Sequence, residues 1–196
     1  MRLCIDAGHG GGDWGATFAD LKEKDVALDL AKRAATIAAE ASIDVMLTRE
    51  TDHYLGRLAR AGLSNEWNAD AFVSVHLNAD ADPDEPGDPE ARGIECLHWW
   101  HSGRGQALAE AIGASLVAAT GERWRGAKEV RPGDRGETVL HYTDAPAVIV
   151  EVGFLDCRAT AAGVKDPAVL DRYARAIIEG VRLWAGLGPA QDTPPA

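Results

Sequence analysis

The sequence predicts an α/β domain built on a mostly parallel, twisted sheet with helices on both faces, in three layers. Short apolar runs typical of buried strands alternate with longer segments whose apolar residues recur at the spacing of an amphipathic helix. Such alternation is typical of units in which a helix crosses over between two parallel strands. The 196 residues are enough for one domain with a proper core, which we assign to residues 1–185.

The first half of the chain contains three predicted strands and two predicted helices. The run Leu3–Asp6 reads as a strand that enters a glycine-rich loop, and apolar residues recur at helical spacing from Leu21 to Ala41. A second strand is predicted at 43–48, a helix at 55–67 and a third strand at 71–75. The third strand is nearly continuous in apolar residues, which predicts burial on both faces.

The second half begins with an acidic segment, 80–90, whose three prolines predict an exposed loop. A strand at 93–99 and a helix at 106–119 follow. Residues 120–137 are rich in glycine and charge and predict a long surface loop. A last strand is predicted at 147–150, a closing helix at 169–184 and a disordered tail at 186–196.

The composition excludes several classes of function. Acidic residues number 31 against 20 basic ones, for a formal charge of −11, which argues against a nucleic-acid partner and against electrostatic docking on anionic lipid. No run approaches the ~18 apolar residues of a membrane span, so no membrane insertion is expected. The first residues lack the apolar stretch of a signal peptide, which predicts synthesis in the cytoplasm. An odd count of three cysteines suits no closed disulfide framework.

Polar residues follow three of the predicted strands. His9 follows the first, His76 the third and Glu151 the last. Ligands of parallel α/β sheets bind outside the carboxyl ends of the strands, so these side chains are expected to converge on one edge. His76 also suits a core histidine with satisfied hydrogen bonds. Glu151 is harder to explain structurally, because a carboxylate directly after four apolar residues is costly unless it is paired or functional.

A catalytic zinc ion commonly takes three protein ligands, and two histidines with one glutamate form a recognised set. His9 and His76 are the candidate nitrogen ligands, and Glu23, at the start of the first long helix, is the nearest candidate carboxylate. Glu23 also lies three residues after Asp20, which suits an ordinary helix cap. Spacing alone favours the cap.

A series of short motifs nevertheless appears in one order along nearly the whole chain to residue 185. They are Asp6-Ala7-Gly8-His9-Gly10-Gly11, Glu23-Lys24-Asp25, Thr48-Arg49 with Asp52, Arg60 and Asn65, Ser74-Val75-His76-Leu77-Asn78-Ala79, Gly93-Ile94-Glu95, and Pro146-Ala147-Val148-Ile149-Val150-Glu151-Val152-Gly153-Phe154-Leu155. The ordered set resembles the zinc-dependent N-acetylmuramoyl-L-alanine amidases, which include autolysins, cell-division amidases and phage endolysins. One departure is Cys157, which stands where the family usually has asparagine.

The resemblance implies hydrolysis of the amide bond between N-acetylmuramic acid and L-alanine in peptidoglycan by zinc-activated water. It implies that His9, Glu23 and His76 bind one Zn²⁺ per chain and that Glu151 is the catalytic general acid and base. We further expect Asn78, Arg135 and Trp99 to contact the substrate, although Arg135 also suits a solvated surface charge and Trp99 core packing. The expected partner is peptidoglycan, and the expected state is a monomer.

Other functions fit parts of the sequence. Residues 10–15 match a GxGxxG fingerprint, but the helical pattern starts at Leu21, too late for a dinucleotide site. Another zinc amidohydrolase or peptidase of the same fold, and a non-catalytic wall-binding module, are further alternatives. The absence of an export signal and of an appended wall-binding domain favours a phage or prophage endolysin that acts on the cell wall.

Overall fold

The computed structural model describes residues 1–80 and 91–188. The strands are β1 (Arg2–Ala7), β2 (Thr17–Phe18), β3 (Leu21–Lys22), β4 (Asp44–Leu47), β5 (Ala71–Asn78), β6 (Ile94–Trp99), β7 (Trp124–Val130) and β8 (Ala147–Phe154). The helices are α1 (Glu23–Glu40), α2 (Arg57–Glu66), α3 (Gly103–Thr120), α4 (Glu137–Tyr142), α5 (Arg158–Gly163) and α6 (Pro167–Trp184). None of the helices in these two ranges is long and apolar enough to cross a membrane.

Six strands form the central sheet in the order β4-β1-β5-β8-β6-β7. β4, β1, β5 and β8 are parallel, β6 runs antiparallel to β8, and β7 is parallel to β6. The prediction of a mostly parallel sheet is therefore confirmed. β2 and β3 form a separate small hairpin between the first sheet strand and α1.

The two faces of the sheet bury different sets of side chains. Leu30 of α1, Ile112 of α3 and Ile177 of α6 belong to a large apolar cluster with alternate strand residues such as Val73 and Val75. On the opposite face, a smaller cluster joins strand residues to α4, which packs beside α2. The intervening strand positions on this second face carry polar side chains, including Ser74 and His76. The prediction of helices on both faces is confirmed, and the thinner, more polar face contains the candidate site.

The structure corrects the boundaries of two strands that carry candidate site residues. β5 continues to Asn78 and β8 to Phe154, so His76 and Glu151 lie within strands and do not follow them. Their position near one edge follows from sheet register, in which His76 is the partner of Glu151.

The prediction of one long surface loop at 120–137 is wrong, because β7 runs through the middle of this segment. β7 is an edge strand whose side chains are mostly half-buried or exposed, so it lacks the apolar run that indicates a strand. The predicted acidic loop at 80–90 lies, apart from Asp80, outside the described residues, as does the predicted tail from residue 189 onward.

Candidate metal and catalytic site

Three separate elements bring the candidate metal ligands together. His9 lies in the loop after β1, Glu23 is the first residue of α1, and His76 lies on β5. One ligand atom from each of these side chains lies within 4.8 Å of the others. The cluster therefore combines two imidazole nitrogens with one carboxylate oxygen, which are donors that zinc accepts.

Glu23 is the fully buried centre of this cluster. Its Oε1 lies 2.8 Å from Nδ1 of His76 and accepts the backbone N–H of Leu77 at 3.1 Å, while Oε2 accepts the backbone N–H of Ala16 at 2.7 Å. Burial raises the pKa of Glu23, but the contacts with His76 and His9 outweigh it and hold the pKa well below its usual range. Since α1 begins at Glu23 and has no side-chain cap, the helix-cap alternative does not account for this carboxylate.

His9 is held by a neighbouring acid. Its Nδ1 lies 2.9 Å from Oδ1 of Asp13, which orients the ring and directs Nε2 toward Glu23. Nε2 lies 3.1 Å from Oε2 of Glu23, yet this buried nitrogen has no hydrogen-bond partner of acceptable geometry among the described residues. The carboxylate of the nearby Asp6 does not orient the His9 ring, because it accepts hydrogen bonds from Thr48, Ser74 and Arg60.

Two glycines leave space for the cluster. A Cβ on Gly8 would collide with the imidazole ring of His76. A Cβ on Gly15 would collide with Oε2 of Glu23 and with the ring of His9, and Gly15 also has a φ of +66°, which side-chain-bearing residues rarely adopt. The glycine-rich loop therefore permits close approach of the backbone to the three candidate ligands.

The donor set and its spacing fit a divalent cation. A tetrahedral ion with bonds of about 2.1 Å separates its ligand atoms by roughly 3.4 Å. Glu23 oxygens lie 2.8 Å and 3.1 Å from imidazole nitrogens, so small adjustments bring these atoms to such a separation. A cation at this position would give the buried Nε2 of His9 the partner that it lacks among the described residues.

Glu151 lies beside the cluster on the same face of the sheet. It is 3% exposed, and its Oε2 has no hydrogen-bond partner among the described residues. Burial raises the pKa of Glu151 to about 7, with His76 and Arg135 acting in the opposite direction through their charges. A buried carboxyl with a pKa near neutrality suits proton transfer in either direction.

A cavity of about 550 Å³ connects these groups with the surface. Its wall includes His9, His76 and Glu151 at the sheet and the first turn of α2 above it. The exposed side chains of Tyr54 and Leu58 line it as well. A polar end beside an apolar wall is the arrangement of a small-molecule or polymer-fragment site.

The three expected substrate contacts lie in different places. Arg135 lines the cavity. Asn78 does not line it and donates a hydrogen bond to Oε1 of Glu95 at 2.8 Å. Trp99 packs into the smaller apolar cluster against the ring of His141, with centroids 4.6 Å apart. The substrate contacts of all three residues stay predictions.

Sequence reasoning missed a second acidic group near Glu151. Glu95 is the cross-strand partner of Glu151 and is 6% exposed. Oε2 of Glu95 accepts from Arg125 at 2.9 Å and from Lys128 at 2.6 Å. Both cations belong to β7, so the assignment of that segment as a loop concealed the pairing.

Comparison with known proteins gives consistent similarities. A family model described as N-acetylmuramoyl-L-alanine amidase matches residues 3–182. The endolysin of Bacillus phage SPP1 is 31% identical over 191 residues, which cover 90% of this chain and 63% of the relative. The N-acetylmuramoyl-L-alanine amidase LytC of Bacillus subtilis strain 168 is 32% identical over 180 residues, covering 91% of this chain and 34% of the relative. The chain thus spans less than two thirds of either relative.

Solved structures show the same similarity in three dimensions. An N-acetylmuramoyl-L-alanine amidase from Clostridium difficile 630 superposes with a TM-score of 0.85 at 30% identity, covering 94% of this chain and 96% of the other. The amidase AmiC2 of Nostoc punctiforme superposes with a TM-score of 0.84 at 29% identity, covering 95% of this chain and 97% of the other.

Proposed function

Because the chain belongs to the N-acetylmuramoyl-L-alanine amidase family, we propose that it hydrolyses the amide bond between N-acetylmuramic acid and L-alanine in peptidoglycan. The observation that carries the proposal is the placement of His9, Glu23 and His76 within 4.8 Å of one another, at a cavity that Glu151 also lines. This arrangement combines a cation site with a proton-transfer group, a combination suited to metal-assisted hydrolysis of an unactivated amide.

His9, Glu23 and His76 would hold one zinc ion per chain. When bound, zinc supplies a Lewis acid that polarises the amide carbonyl and acidifies water. The backbone contacts of Glu23 and the pairing of His9 with Asp13 keep the ligands oriented before the ion arrives. A preorganised ligand set lowers the cost of ordering side chains on binding.

Glu151 is the group that moves protons in this proposal. As a general base it removes a proton from the attacking water, and as a general acid it then delivers a proton to the departing nitrogen. That nitrogen becomes the free amino group of L-alanine, and the muramic acid retains the lactyl carboxylate. The raised pKa of Glu151 keeps both steps within reach near neutral pH.

We propose that Arg135 binds a carboxylate of the stem peptide. It lines the cavity, and its charge acts on Glu151. A guanidinium presents paired donors that match a carboxylate. The net charge of −11 does not oppose such binding, because the local arginine meets the carboxylate directly.

Analysis of the products tests the proposed reaction. Purified peptidoglycan is digested with the zinc-loaded protein, and new alanine amino groups and new reducing sugars are both counted. We expect new amino groups without new reducing sugars, and addition of a chelator should abolish them. New reducing ends without new amines would indicate a glycosidase, and an unchanged wall in all conditions would favour a non-catalytic wall-binding module.

The biological setting is a separate proposal. We place the site of action at the cell wall, because relatives include a phage endolysin and a bacterial N-acetylmuramoyl-L-alanine amidase. The two are equally similar to this chain, so the endolysin assignment stays a prediction, as does the monomeric state. Lysis of host cells on expression together with a membrane-permeabilising protein, but not without it, is the expected behaviour of an endolysin.

A further inference from the structure

Arg49 is a buried arginine close to the candidate metal ligands but outside their cluster. It is 2% exposed and is one of the largest fully buried side chains of the described chain. Burying a guanidinium is costly unless its charge is compensated. Among the described residues Arg49 forms no ion pair with a carboxylate, and every hydrogen bond from its side chain there goes to a backbone carbonyl.

The accepting carbonyls belong to the two segments that carry metal ligands. Nη2 of Arg49 lies 2.7 Å from the carbonyl oxygen of Gly8 and 2.8 Å from that of Lys24. Gly8 directly precedes His9, and Lys24 directly follows Glu23. One nitrogen therefore bridges the neighbours of two ligands from separate parts of the chain, and Nε adds a bond to the carbonyl of Ala7 at 2.9 Å.

Asp52 makes a second connection between the same two segments. Its Oδ1 accepts the backbone N–H of Gly11 at 2.8 Å, and its Oδ2 pairs with the ammonium of Lys24. Gly11 lies in the loop of His9, and Lys24 lies beside Glu23. Arg49 and Asp52 both belong to the segment that follows β4, which itself contributes no ligand.

We propose that Arg49 and Asp52 are positioning residues of the metal site, which hold the His9 loop against the first turn of α1 and so fix the separation of His9 and Glu23. The proposal rests on the metal site described under the proposed function. It explains why a buried charge is retained where an apolar residue would fill the same space: only a planar group with several donors reaches carbonyls of both segments. Loss of this connection should change the spacing between His9 and Glu23, although Asp13 still orients the His9 ring and the backbone still holds the Glu23 carboxylate.

The first test replaces Arg49 with lysine, which keeps the positive charge but has a single nitrogen and ends short of the position of Nη2. Affinity for zinc is measured by competition with a chelator, and the visible spectrum of the cobalt-substituted protein reports ligand geometry. Outer groups that orient metal ligands are typically worth about 10–100-fold in affinity, so we expect a loss of that size together with an altered cobalt spectrum.

Arg182→Lys is the matched control for loss of a buried arginine. Arg182 is 7% exposed, lies on α6 and donates to the carbonyl of Gly188, away from the metal ligands. Both variants are expected to melt at lower temperature without metal, but only Arg49→Lys should bind zinc more weakly. If Arg49→Lys folds and binds zinc within twofold of the wild type, with an unchanged cobalt spectrum, the proposal is overturned.

A milder variant keeps the proposal testable if Arg49→Lys does not fold. Asp52→Ala removes a half-exposed side chain. Asp25→Ala removes an equal charge that also lies near Lys24 but has no hydrogen bond to the His9 loop in the described part of the chain. We expect Asp52→Ala to bind zinc about three- to tenfold more weakly than Asp25→Ala, the worth of one hydrogen bond. Equal affinities in the two variants would overturn the proposal, whereas a wild-type protein that binds no zinc would overturn the proposed function.

Discussion

Replacement of Glu151 by glutamine separates its role in proton transfer from its role in folding. Glutamine has nearly the shape of a protonated glutamate but cannot accept or release a proton near neutral pH. Because Glu151 is not one of the three proposed ligands, the variant should bind zinc as the wild type does. Its rate of peptidoglycan hydrolysis should fall about 10²–10⁴-fold, the usual contribution of a positioned acid–base group.

The same variant has an expected effect on stability with a defined sign. Burial raises the pKa of Glu151 from 4.5 to about 7, so the fold favours its protonated form. The contribution of the protonated Glu151 to the free energy of unfolding is fully present below pH 4.5 and is lost as pH rises through 7. The pKa of Glu151 therefore differs by about 2.5 between the unfolded and folded chains. At ~1.36 kcal/mol per pKa unit, the loss of folding free energy is at most about 3 kcal/mol. The metal-free glutamine variant should therefore be more stable than the wild type at pH ~8 by up to this amount, or roughly 6–12 °C in melting temperature.

Melting of both proteins in the presence of chelator, at about pH 5 and pH 8, measures this difference. The difference in melting temperature between the two proteins should be larger at the higher pH. It should shrink when zinc is added, because the cation stabilises the charged carboxylate of Glu151. Glu129→Gln, a change at a half-exposed acid on β7, is the control and should show no such gap. A Glu151→Gln variant with a hydrolysis rate within threefold of the wild type would remove Glu151 from the mechanism. If the variant and the wild type melt at the same temperature at both pH values, burial does not raise the pKa of Glu151.

Three further substitutions test other parts of the site. Gly15→Ala should abolish zinc binding, because the added Cβ collides with Oε2 of Glu23. Gly12→Ala is the control and should bind zinc normally, because a Cβ there meets nothing within 4 Å. Equal zinc affinities of the two variants would show that the ligands do not need the space that Gly15 leaves. Cys157→Asn restores an N-cap on α5 that now has no side-chain hydrogen bond, so it should raise stability by about 1 kcal/mol and leave hydrolysis unchanged; inactivation would show that the thiol is needed. Arg135→Gln should raise the KM for fragments with a free stem carboxylate and change kcat little, and an unaltered KM would remove Arg135 from substrate binding.

The parts of the fold that the sequence predicts are those with a strong apolar pattern. β1, β5 and β8 are buried along most of their length, and the long helices present continuous apolar stripes to the sheet. The sequence does not predict β7, because an edge strand needs no apolar run. The strand also contains Gly126, a residue type typical of turns, which has a φ of +105°. α4 and α5 have six residues each, too few for a helical period to be recognised.

The candidate site divides in a similar way. His76 and Glu151 could be located from the sequence because polar residues interrupt apolar strands there. Glu23 could not be distinguished from a helix cap by spacing, and only the resemblance of the ordered motifs indicated a ligand. Three of the four hydrogen bonds from the Arg49 side chain join residues 25 to 42 positions apart, so they depend on tertiary packing that a local pattern does not contain.

Titration of the metal-free protein with zinc measures the central claim most directly. The cluster of His9, Glu23 and His76 predicts that one equivalent of zinc binds per chain. A chelator should remove this zinc completely. His9→Ala and His76→Ala should lose that equivalent and the release of alanine amino groups together, whereas Glu151→Gln should lose the release alone. Full zinc occupancy in both histidine variants, or hydrolysis of peptidoglycan by protein shown to contain no metal, would contradict the account.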